Sequence, residues 1–73
     1  REQLSTRERM SRILNMLRDS DFMPLTALFS AEEGRSGCVV SFLAVLELVK
    51  EGMLECVQVK AYSDVHVRLA QQE

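Results

Sequence analysis

What this 73-residue sequence lacks narrows it quickly. It has no excess of positive charge: nine Lys and Arg against eleven Asp and Glu give a formal net charge of -2. A domain that holds duplex nucleic acid normally presents a basic face, and this balance supplies no such footprint. No apolar run approaches the ~18 residues that span a bilayer. The opening "REQLSTRERM" is charged and amphipathic, unlike a secretory leader. The only cysteines are Cys38 and Cys56, too few for a framework of bridges. Each lies inside an apolar pattern and is expected to be a small buried hydrophobe in a reducing compartment, although spacing alone does not exclude a disulfide between them. The expected location is therefore cytoplasmic.

Catalytic chemistry is equally scarce. His66 is the single histidine; it takes an outward position on a strand, with no Cys or acidic pair at metal spacing, and reads as a solvated side chain. "EEGRSG" contains glycines but no phosphate-loop lysine, and it follows no strand. No nucleophile is paired with a base. The sequence nominates no catalytic, cofactor-binding or metal-binding residue, and the expectation is a non-catalytic module.

What is present is apolar side chains in regular patterns, 47% of the sequence. That is enough for one domain with one modest core. "STRERMSRILNMLRDSD" predicts a first helix, with Ser5 as N-cap and Glu8 three residues on as in a capping box. Met10, Ile13, Leu14 and Leu17 recur at helical spacing, with Arg7, Arg9, Arg12 and Arg18 off that stripe. Pro24 limits "FMPL" to a short edge strand at Phe22 to Leu25. Thr26 is placed to cap a second helix, "ALFSAEE", ended by Gly34, with Leu28 and Phe29 toward the core. A third helix runs from Ser36 or Gly37 to Glu51, and Gly52 stands where helices commonly stop. "MLECVQVK", a short "AYSD" loop and "VHVRL" form an antiparallel hairpin: Leu54 and Cys56 face inward with Val65, Val67 and Leu69, away from Glu55, Val57, His66 and Arg68. Three helices, a short strand and a C-terminal hairpin make an α+β, winged-helix arrangement. The chain has no initiating Met and is expected to be one domain, residues 1–73, of a longer protein.

The third helix, "CVVSFLAVLELVKEG", is apolar over most of its circumference. At 100° per residue, Cys38, Phe42, Val45, Leu46 and Val49 form a broad face, with Val39 and Leu43 on its shoulder. Val40, Ala44 and Leu48 form a second ribbon. One face suffices to seal a small core, with Val45 and Val49 the expected core residues, so the rest suggests an exposed patch of the kind that marks a protein interface. Two alternatives remain: the hairpin and first helix could cover the whole helix, or the patch could join two copies of the chain. A DNA-reading winged helix is a further alternative, but Lys50 is the only cation off the main stripe, Glu47 and Glu51 repel phosphate, and the hairpin adds only Lys60 and Arg68.

Together "RERMSRILNML", "FLAVLELVKEGMLE" and the "KAYSDV" loop resemble the C-terminal domain of the bacterial segregation and condensation protein A (ScpA) family, the kleisin subunits of SMC condensin complexes. The resemblance covers essentially the whole chain, though no single motif is diagnostic. It implies a winged helix that binds the ATPase head of an SMC protein and helps close its ring in chromosome condensation and segregation. Further implications are contact with the partner subunit ScpB through other parts of the full-length chain, association with the nucleoid, and neither direct DNA binding nor membrane contact by this domain. By the same resemblance, Phe42 and Leu46 look like the head-contacting pair, with Leu43 and Val39 beside them. Relatives tolerate polar residues at Ala44, which makes the second ribbon the weaker interface. Val57 and Val59, apolar where relatives often carry polar residues, are candidates for a secondary contact.

Overall fold

The computed structural model describes residues 5–71. Their order is helix α1 (Thr6–Arg18), strand β1 (Met23–Pro24), two 3-10 turns (Leu25–Leu28 and Ala31–Glu33), helix α2 (Gly34–Lys50) and strands β2 (Leu54–Val57) and β3 (His66–Leu69). The architecture is α+β, with two α-helices against a three-stranded antiparallel sheet in the order β1-β3-β2.

Local chemistry accounts for both helices. Ser5 is extended, and its hydroxyl accepts the Glu8 N–H at 3.2 Å, satisfying a donor that the first turn of α1 leaves open. Helix α2 stops at Gly52, whose φ of +76° is readily adopted only without a Cβ. There the Gly52 N–H donates to Val49 O at 3.0 Å and the Met53 N–H to Leu48 O at 2.9 Å, the paired bonds of a Schellman ending.

The expected second helix does not form. Pro24 precedes the segment, and Phe29 and Ser30 are extended between two single 3-10 turns. A stretch this short is near the limit of helix nucleation, and only Leu28 anchors it fully in the core. Thr26 caps nothing; the residue before the first turn is Pro24. Gly34, at φ +67°, closes the second turn and opens α2 rather than ending a helix.

The hairpin is also shorter than the sequence suggests. Register pairs Leu54 with Leu69, Glu55 with Arg68, Cys56 with Val67 and Val57 with His66, leaving residues 58–65 as a loop. The Pro24 edge strand contracts to Met23–Pro24, paired with Val67 and His66.

The core consists of Ile13, Leu17, Leu28, Val40, Ala44, Val45, Leu48, Leu54 and Val67. On α2 the inward face is Gly37, Val40, Ser41, Ala44, Val45 and Leu48. The ribbon of Val40, Ala44 and Leu48 is therefore the core face, and Val49, expected inside, is exposed. Gly37, Ser41 and Ala44 share the inward face with Val40, Val45 and Leu48, while Val39, Phe42, Leu43, Leu46 and Val49 turn outward.

Both cysteines are free and exposed, contrary to the expectation of burial. Cys56 has the inward parity of Leu54 and sits opposite the fully buried Val67. It lies on the outer strand of the sheet, however, and no described residue packs far enough over it to bury it.

Candidate protein-binding site

The outward face of α2 carries Val39, Phe42, Leu43, Leu46 and Val49, each between 40% and 52% exposed. All four residues nominated as a head-contacting set, Phe42, Leu46, Leu43 and Val39, fall on this face, and Val49 joins them. Met53, just past the Gly52 turn, is also exposed. Bulky apolar side chains clustered this way in water are a common feature of interaction surfaces.

A shallow groove flanks this face where α1 meets the C-terminal half of α2. Thr6, Arg7 and Met10 line it from α1, and Leu43, Leu46, Glu47, Lys50 and Glu51 line it from α2 and its end. Val57 and Val59 do not line the groove. Val57 is half-buried on β2, and Val59 stands largely exposed in the loop beyond it.

That loop is held by its own polar groups. The Ser63 hydroxyl donates to Lys60 O at 2.6 Å, and the Gln58 amide donates to Ser63 O at 2.6 Å. Tyr62, at φ +66°, is fully exposed at the turn. His66 stacks on Phe22 with ring centroids 4.6 Å apart. Among the described residues, no three His, Cys, Asp or Glu side chains gather as a metal-holding group.

The structure adds one residue that periodicity assigned to the solvent side. Arg9 is buried, its guanidinium donating to Glu33 Oε1 at 2.8 Å and to Ser41 Oγ at 2.7 Å, with a second short bond to Glu33 Oε2. Arg12 adds a longer contact to the same carboxylate at 3.7 Å. The Arg9 hydrogen bond, helped by the charges of Arg9 and Arg12 and opposed by partial desolvation, holds the Glu33 carboxyl below its ordinary range. This bidentate brace, with its added bond to Ser41, ties α1 to the residue that precedes α2 and to the N-terminal half of that helix. Gly37 makes room for it: a Cβ there would lie 2.2 Å from Glu33 Cβ. The sequence signal was an Arg four residues before Ile13 and eight before Leu17, hence on the buried side of α1.

No established family profile matches the chain. Curated relatives do. It is 47% identical over 68 residues to segregation and condensation protein A of Coxiella burnetii, a match covering 93% of this chain and 26% of that protein. The chain is homologous to a segment of segregation and condensation protein A. The protein of that name from Xylella fastidiosa is 48% identical over 68 residues, covering 22% of its length. The one from Brevibacillus brevis is 32% identical over 65 residues, covering 26% of its length. The chain thus spans about a quarter of the segregation and condensation proteins it matches.

Proposed function

We propose that this chain is the C-terminal winged-helix module of a bacterial kleisin, which docks through the outer face of α2 onto the ATPase head of an SMC protein. In this reading β2, β3 and the loop between them form the wing, and the 3-10 turns replace the middle helix of a winged helix. Docking closes the SMC–kleisin ring that serves chromosome condensation and segregation at the nucleoid. The module itself performs no catalysis; nucleotide hydrolysis belongs to the SMC head, and contact with the ScpB subunit belongs to the rest of the kleisin chain.

The carrying observation is the face of Val39, Phe42, Leu43, Leu46 and Val49, large apolar groups left in water by a chain homologous to segregation and condensation protein A. Fully burying one such side chain is worth roughly 1.5–3 kcal/mol. Covering the exposed half of five would therefore contribute on the order of 5 kcal/mol before the cost of association. A DNA-reading role is disfavoured, because this face offers carbon where base edges require donors and acceptors.

The test is titration of the chain against a purified SMC head and against duplex DNA, at roughly 50 and 200 mM salt. The expected result is head binding that weakens less than tenfold over that range. Several neutralised phosphates would instead cost roughly 10³-fold or more, and DNA binding with that salt response, without head binding, would overturn the proposal.

A further inference from the structure

Resting on the docking role proposed above, the loop between β2 and β3 supplies contact area that α2 alone does not. The exposed halves of Val39, Phe42, Leu43, Leu46 and Val49 offer roughly 150–300 Å² of apolar surface, at about 60–120 Å² for each such side chain when fully covered. A specific, stable interface covers about 800 Å² on each partner, of which about 450 Å² is apolar. The helix face falls short of that. Val59 and Tyr62 are the two most exposed large apolar residues described, at 77% and 101%. A tyrosine side chain alone can bury about 150–250 Å², so the pair about doubles the apolar area and brings it into the range of an ordinary interface.

Tyr62 is held in water against its own backbone preference. Lys60 to Ser63 form a four-residue turn, closed by the Ser63 N–H donating to Lys60 O at 3.1 Å. Tyr62 takes the third place at φ +66°, where Gly or Asn is usual because a Cβ crowds the backbone. The side chain is fully exposed, so no contact within the domain offsets that strain. Strain of this kind persists where the surroundings fix it, and it collects at functional sites. Polar groups fix it here: the Ser63 hydroxyl donates to Lys60 O and accepts the Lys60 N–H at 3.3 Å, while the Gln58 amide donates to Ser63 O. The backbone beneath the ring is thus set before any partner arrives, which lowers the ordering cost of binding. We propose that this loop is a second anchor on the same SMC head, with Tyr62 entering an apolar pocket that offers its phenol oxygen a hydrogen-bond partner, and Val59 packing at the rim.

The experiment measures the melting temperature, and the dissociation rate from a purified SMC head, for wild type, Tyr62→Gly, Tyr62→Asn, Tyr62→Phe and Leu46→Lys. Gly and Asn both suit a positive φ, so both variants are expected to melt no lower than wild type. Their complexes with the head are expected to dissociate about tenfold faster or more. Tyr62→Phe keeps the ring and is expected to lie between them and wild type. Asn lacks the extra freedom of Gly, so weakened binding in both variants reports loss of the ring and not loosening of the loop. Unchanged dissociation in both, with binding still abolished by Leu46→Lys, overturns the second anchor but leaves the docking face standing. A melting temperature lowered in both makes Tyr62 part of the fold and overturns the proposal. Intact binding of Leu46→Lys refutes the docking face itself. Sedimentation supplies an independent check: a wild-type dimer dispersed by Tyr62→Asn would assign the loop to a second copy of the chain and overturn the proposal.

Discussion

Leu46 and Leu48 are two residues apart on α2 and have opposite fates, which makes them the sharpest test of the face assignment. Leu48 is completely buried in the cluster with Ile13, Leu17, Ala44, Val45, Leu54 and Val67. Leu48→Ala is expected to cost about 2–5 kcal/mol through lost transfer energy and the cavity left behind. A 73-residue domain at the usual ~0.05–0.15 kcal/mol per residue has about 4–11 kcal/mol in total. The lower end of that cost already lowers the melting temperature by roughly 10 °C, and the upper end unfolds a marginal chain. Leu46 is 49% exposed. In Leu46→Lys the aliphatic stem keeps the contacts at the base of the side chain while the ammonium reaches water, so a change below about 1 kcal/mol is expected. Docking would then strip water from that charge in the centre of the contact, and head binding should collapse. Phe42→Arg should behave like Leu46→Lys, for the same reason. Thermal melts followed by circular dichroism, read beside a pull-down with the SMC head, separate the two properties. If Leu46→Lys loses its folded baseline as Leu48→Ala does, the outer row belongs to the fold. If it stays folded and binds normally, docking occurs elsewhere.

Val49→Lys should change stability by no more than about 0.5 kcal/mol, as for other surface substitutions, and urea unfolding measures it; complete unfolding would restore Val49 to the core. Cys56→Ala should be similarly mild, and both thiols should react with a thiol reagent in the native state at the rate of an exposed cysteine, whereas a native disulfide detected by mass would contradict the free, exposed pair. Glu33 has a folded pKa below its ordinary value of 4.5, so the stability it confers is complete above that value and is lost as pH falls through the lowered folded pKa. Unfolding curves of wild type and Glu33→Gln should therefore be far apart near neutrality and converge under acid; a gap that persists unchanged to the lowest pH would assign the loss to packing. Gly37→Ala should lower the melting temperature, because the new methyl displaces Glu33 from Arg9, despite the gain in helix propensity that Ala ordinarily brings.

Much of the fold was legible because several signals were local or periodic. Ser5 needed only an unsatisfied N–H three residues on, and Gly52 only a left-handed turn. Ile13 and Leu17, and across the hairpin Leu54 and Val67, followed from spacing alone. The less legible positions all depend on what a distant segment does. Two apolar ribbons on α2 satisfy periodicity equally, and only the packing of Ala44, Val45 and Leu48 into the common core with Ile13, Leu17, Leu54 and Val67 decides which is buried. The burial of Arg9 requires Glu33 and Ser41, 24 and 32 residues away, to converge on it. The parity of Cys56 pointed inward, but parity cannot say where the cover over a sheet ends. Ala27 to Glu33 has helix-forming residues, yet too short a run and too few anchors to close more than single 3-10 turns.

The distribution of bulk on α2 connects folding to the proposed docking. An amphipathic helix in a small domain usually places its largest apolar groups inward. Here Gly37, Ser41 and Ala44 face inward beside Val40, Val45 and Leu48, while Phe42, Leu43 and Leu46 face water. Small inward residues contribute little transfer energy, so cohesion between the helices has to come partly from another source. The Arg9 fork on Glu33 and Ser41 supplies a directional link at the N-terminal end of α2, where a purely apolar contact between small side chains would leave the helix free to slide. Fixing α2 in this way presents Val39, Phe42, Leu43 and Leu46 in one orientation before any partner arrives, which lowers the ordering cost of binding. Repacking Gly37, Ser41 and Ala44 to larger apolar residues is therefore expected to push α2 away from α1 and break the brace. Head affinity would then fall even though no residue of the outer face had changed.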